Sequence, residues 1–167
     1  LSEMLPALGD FSPGYANGNT QFQGVEANIE EIRGQIAEGD LLSFSQTIQS
    51  FLGLGGGLTP SGDDFIIGLL LSFNRWETIF QPDNNLSRLN EIIVEAAYKR
   101  TTTLSANLIE SAALESADER LIQVVDHLAT GKYHRDEVIP GLLSWGNSSG
   151  VDALVGMITA FLPLDQS

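Results

Sequence analysis

The chain has no cysteine among its 167 residues, which excludes disulfides, thiol nucleophiles and thiolate metal sites and leaves the redox compartment open. It is also poor in positive charge, with 8 Lys+Arg against 22 Asp+Glu and a formal net charge of −14. No basic stripe follows the sequence, so nucleic acid is not expected as a partner and an anionic membrane surface is disfavoured. An anion must then be held locally, by backbone N–H groups, a metal or a partner subunit, against the field of the whole protein. The longest apolar run, Phe65 to Phe73, falls well short of the roughly 20 residues of a membrane span, and Leu1 to Asp10 lacks the basic and apolar regions of a leader. Together these absences predict a cytoplasmic protein without membrane contact. A first residue that is leucine rather than methionine is read as the sign of a longer parent chain. Histidine is scarce too, and neither His127 nor His134 lies at a telling spacing from a serine or aspartate, so no triad is expected.

With 43% hydrophobic and 18% charged residues, the chain has the make-up of one globular domain with a real core. No strand periodicity stands out. Apolar residues recur at helical spacing through Val25, Ile29, Ile32 and Ile36, then Leu41, Phe44, Ile48 and Phe51, then the nearly all-apolar segment from Asp63 to Phe80. After the turn cluster Gln81 to Asn85, further helices are marked by Leu89 to Ala97, Leu104 to Leu114, and Leu121 to Leu128, the last opened by a Ser116–Glu119 capping box. A short apolar segment, Val138 to Trp145, is bent or started by Pro140, and the final helix runs to Pro163. The expected fold is all-α: a single compact bundle of about seven helices, with a buried central helix following a glycine-rich loop. Residues 1–23 are expected to form an irregular lead-in packed on the body through Leu5, Leu8, Phe11, Tyr15 and Phe22, and residues 24–167 the helical domain.

The candidate site is the stretch from Leu54 to Asp64, in which Gly55, Gly56, Gly57 and Gly62 alternate with the side-chain oxygens of Thr59, Ser61, Asp63 and Asp64. Glycine allows positive φ and close approach of a ligand to the backbone, and the helix that follows presents unpaired N–H groups and a positive dipole end. Such a start can bind phosphate or carboxylate, and the paired aspartates can hold Mg²⁺ or Mn²⁺ beside it.

The same frame returns 88 positions later. Ser61, Gly62, Asp64, Gly68 and Phe73 align without a gap on Ser149, Gly150, Asp152, Gly156 and Phe161. Two capping boxes would account for serine and aspartate alone. They leave Gly68 and Gly156 unexplained, since a mid-helix glycine costs about 1 kcal/mol relative to alanine and must be offset by close packing. Helices crossing at these glycines would bring Asp64 and Asp152 to one pocket, with Asp63 as an extra carboxylate. Asn147, Ser148, Ser149 and Gly150 would then line it, joined by neutral donors from Thr101 and Thr102.

The phrase Gly57-Leu58-Thr59-Pro60-Ser61-Gly62-Asp63-Asp64-Phe65, with Gly146 to Asp152 and the threonine-rich Arg100 to Asn107, resembles a bacterial family, once a domain of unknown function, named for the AllH-type small subunit of oxamate carbamoyltransferase. The resemblance spans residues 50 to 162 or so, the C-terminal helical part of longer members. It implies phosphorolysis of oxalurate to oxamate and carbamoyl phosphate in anaerobic allantoin use, carried out with two larger subunits. Where members carry a histidine and a second Ser-Gly-Trp-Asp-like phrase, this chain has Asn147 and Val151. Three readings follow: an enzyme subunit whose glycine loop and helix starts bind a phosphate- or carboxylate-bearing molecule, with Asp63, Asp64 and Asp152 as its catalytic side chains; a stand-alone hydrolase with those aspartates as metal ligands; and a non-catalytic helical partner in which the glycines serve packing.

Overall fold

The computed structural model describes residues 23–80, 86–146 and 148–161. Among these the chain is all-helical: α1 (Gln23–Glu38), α2 (Leu41–Gln49), α3 (Ser61–Arg75), α4 (Glu77–Phe80), α5 (Leu86–Arg100), α6 (Thr103–Ala113), α7 (Glu119–Thr130), α8 (Arg135–Leu143) and α9 (Ser149–Phe161). None of these helices is long and apolar enough to cross a membrane. The expected packing of the lead-in, Asn147, the turn at Gln81–Asn85 and the stop at Pro163 lie outside the described residues.

α3 is the axis of the fold because its sequence leaves it no wet face: every residue from Gly62 to Asn74 is buried. Its main neighbour is α9, with α6, α7 and α5 also packed on it, while α2 lies on α5 and reaches α3 through Phe44. The two glycines decide how close α3 and α9 come. A Cβ built on Gly68 would lie 1.9 Å from the carbonyl oxygen of Ala153, and one built on Gly156 would lie 2.0 Å from that of Phe65. Residue 153 is the 88-position counterpart of residue 65, so the contact is reciprocal and the helices are related by a local pseudo-two-fold. Aromatic pairs close the layers on either side, with Phe51 stacked on Phe65 at 4.8 Å between ring centres and Phe44 edge-on to Phe73 at 5.7 Å.

Two helices exceed the seven expected. The central helix breaks at Trp76, directly after Arg75 turns to a bidentate pair with the buried Asp126 of α7 (2.5 and 2.8 Å), and a single turn, α4, follows. The segment around Pro140 forms α8, with the proline inside it. The Ser116 capping box is also displaced: Asp118 caps α7 by accepting from the Arg120 N–H. The nearer carboxylate, also paired with the Arg120 guanidinium at 2.7 Å, takes the role expected of serine.

Candidate functional site

The loop between α2 and α3 is held at both ends. Near its start, Gly53 donates its N–H to Asp63 at 2.8 Å, and Thr101 donates its hydroxyl to the other oxygen of that carboxylate. Near its end, the Leu58 carbonyl accepts from the Thr102 hydroxyl at 2.7 Å. Gly55 and Gly57 lie at φ +111° and +98°, a region L side chains rarely enter. The crest between these anchors is exposed, and a Cβ on Gly56 or Gly57 would meet no atom within 4 Å. Among the described backbone bonds, none is donated by the N–H of Gly55, Gly56 or Gly57, so the loop offers unspent donors to an anion.

Beneath it the two helix starts meet. The Thr59 and Ser149 hydroxyl oxygens are 3.4 Å apart. Pro60 is the N-cap of α3 and gives no side-chain cap, so Ser61 is the first helical residue rather than a cap. In the same register, the N–H groups of Asp63 and Asp64 bond to the Pro60 carbonyl, and those of Val151 and Asp152 to the Ser148 carbonyl. The serines therefore face across rather than along: Ser149 lies beside the Asp64 carboxylate and Ser61 beside that of Asp152. This exchange, rather than two capping boxes, accounts for the repeated serine and aspartate.

Asp64 is 1% exposed. Burial pushes its carboxyl up to about 6; the Ser149 and Thr59 hydroxyls oppose the shift, and the charges of Asp152 and Asp63 add to it. Burial also raises Asp152, opposed by Ser61 and Ser148. Despite the neighbouring hydroxyls, both oxygens of Asp64 and Oδ2 of Asp152 lack a partner of hydrogen-bond geometry. Buried acceptors left short of well-aligned donors are costly. Asp152 is less buried than Asp64.

The structure thus brings Asp64, Asp152, Ser61, Ser148, Ser149 and Thr59 together beside Gly55, Gly56 and Gly57. It sets others apart. Asp63 is turned away into its bonds with Gly53 and Thr101, and among the described residues no group of three or more His, Asp or Glu is arranged to hold a metal ion; the three-aspartate ligand set is not assembled. Gly62 and Gly150 are packing residues, since a Cβ on either would lie 2.1 Å from the carbonyl oxygen of Phe51 or Leu142. Thr101 and Thr102 are loop anchors, and Thr102 also caps α6 by accepting from Ser105 N–H at 3.1 Å.

The repeat also runs further upstream than an ungapped comparison reveals. Leu54 N–H bonds to Phe51 and Gly62 N–H to Leu54, while Trp145 N–H bonds to Leu142 and Gly150 N–H to Trp145. Both arms end a helix the same way, but eight residues separate Leu54 from Gly62 and five separate Trp145 from Gly150. The three additional residues on the first arm make room for the glycine crest. A search that allowed a gap would have found it.

A profile of the oxamate carbamoyltransferase subunit AllH family matches residues 51–161, a span that takes in the loop, both helix starts and the Thr101–Thr102 anchor. No solved structure matches the chain.

Proposed function

The chain belongs to the oxamate carbamoyltransferase subunit AllH family, and from that premise we propose that the glycine loop and the Asp64–Asp152 pair form a ligand site for a small molecule with a primary amide at one end and an anionic group at the other. Oxamate, oxalurate and carbamoyl phosphate all have this shape, as the oxalurate phosphorolysis of allantoin use requires. An ionised carboxylate only accepts and an amide N–H only donates, so the orphaned oxygens of Asp64 and Asp152 match a –NH₂ group. The free N–H groups of the glycine crest suit the carboxylate or phosphate beyond it. Fixing the amide while donors face the developing charge would lower the barrier to carbamoyl transfer by orientation and electrostatics together. Larger subunits supply the remainder of the enzyme in this reading, in the cytoplasm.

The observation that carries the proposal is Asp64, 1% exposed with neither oxygen partnered, at the foot of an open loop. The stand-alone metal hydrolase has less support, because Asp63 is committed elsewhere. The packing reading accounts for Gly62, Gly68, Gly150 and Gly156 but leaves Gly56 and Gly57 without a purpose.

The test is thermal unfolding of the full chain with and without oxamate, carbamoyl phosphate and inorganic phosphate, for wild type and Asp64→Asn. A ligand that binds the folded state alone stabilises it by about 2.7 kcal/mol at a hundredfold excess over its dissociation constant. Oxamate or carbamoyl phosphate should raise the wild-type midpoint and leave the variant's unmoved. Wild-type indifference to all three, or an equal shift in the variant, would count against the site.

A further inference from the structure

We propose that Arg100 grips the anionic end of the ligand at the glycine loop and makes the site prefer charged amides to neutral ones; the inference rests on the ligand reading above. Asp64 and Asp152 lie under the loop in a chain of net charge −14, so backbone donors alone face a field that repels an anion. Something nearby must offset it.

The distribution of cations narrows the choice. Arg33, Arg75, Arg88, Lys99 and Arg120 each hold a carboxylate, Lys132 lies over the Tyr133 ring and Arg135 is engaged. Among the described residues Arg100 is the one cation without a carboxylate, ring or hydrogen-bond partner for its side chain, and it is exposed. It is also the cation set against the loop. As the last residue of α5, it lays its carbonyl on Gly53, where a Cβ would lie 2.9 Å away. The next two residues, Thr101 and Thr102, anchor the loop through Asp63 and Leu58. The backbone of Arg100 is therefore tied to the base of the loop, and its guanidinium fork matches a carboxylate or phosphate in two-point geometry.

Binding of oxamate and of its neutral analogue oxamide to the full chain, followed by calorimetric titration, separates the two claims. Wild type should prefer oxamate. Arg100→Gln should lose oxamate affinity about tenfold or more while keeping that for oxamide, as expected for one charge-assisted contact, and Arg100→Lys should fall between. Asp64→Asn should weaken both ligands, because each carries the amide. Replacement of an exposed side chain leaves folding nearly unchanged, which circular dichroism verifies. Oxamate binding by Arg100→Gln at wild-type strength would overturn the role of Arg100 and leave the ligand site standing. Parallel loss of oxamide would assign Arg100 a structural role instead, and no binding of either ligand by wild type would remove both claims.

Discussion

Asp64→Asn should stabilise the unliganded protein, and the gain should depend on pH. In the folded chain the Asp64 carboxyl titrates near 6 instead of 3.8, chiefly because it is buried. Between those values the folded state binds more protons than the unfolded state, so the group's contribution to stability is fully present below pH 3.8 and declines as pH rises through 6. At about 1.36 kcal/mol per pH unit, the interval from 3.8 to about 6 corresponds to at most ~3 kcal/mol at neutral pH. Screening on the less buried Asp152 side reduces this to about 2 kcal/mol, a shift of ~4–8 °C in Tm for a domain of this size. Asparagine removes the charge and places an amide donor before Asp152. Urea unfolding of both proteins from pH 3.5 to 8 should show curves that coincide at the acid end and separate up to pH 6–7. A variant less stable than wild type at pH 7, or a difference that does not change with pH, would refute the burial argument.

Three further outcomes follow from the packing. Gly68→Ala and Gly156→Ala each drive a methyl group into a carbonyl oxygen across the α3–α9 crossing and should cost about 3 kcal/mol by denaturant unfolding, whereas Gly34→Ala, with no atom near the new methyl, should gain up to ~1 kcal/mol. Arg75→Ala strands the buried Asp126 carboxylate and should cost about 3 kcal/mol, more than Arg75→Ala combined with Asp126→Leu. Thr101→Val removes a donor from fully buried Asp63; it should cost about 1–3 kcal/mol and speed hydrogen exchange at the Gly53 amide.

The architecture was legible where local chemistry is strained in a way that distant packing must answer. A mid-helix glycine is such a strain, and Gly68 and Gly156 announced a close crossing before any coordinates did. The full apolar circumference of α3 placed it at the centre for the same kind of reason. What could not be read was the direction in which side chains turn once a second helix is near. Ser61 and Ser149 fit capping boxes locally, yet each lies beside the other helix's aspartate. Asp63 and Asp64 are adjacent in sequence and look equivalent, but successive helical residues point about 100° apart, sending Asp63 to Gly53 and Thr101 and leaving Asp64 with Asp152. Gly62 and Gly150 carried the signature of a ligand loop and proved to be contact points for a carbonyl. Arg100 bore no local sign at all, because its freedom is visible only once the other cations have found their partners.

The most direct test of the site is the response of assigned backbone amides to oxamate in ¹⁵N-labelled full chain. The Gly56 and Gly57 resonances should move on titration together with those of Asp64 and Asp152, and Asp64→Asn should abolish all of these shifts. Unmoved glycine amides at saturating oxamate, or shifts confined to another face of the helical domain, would contradict the proposed site.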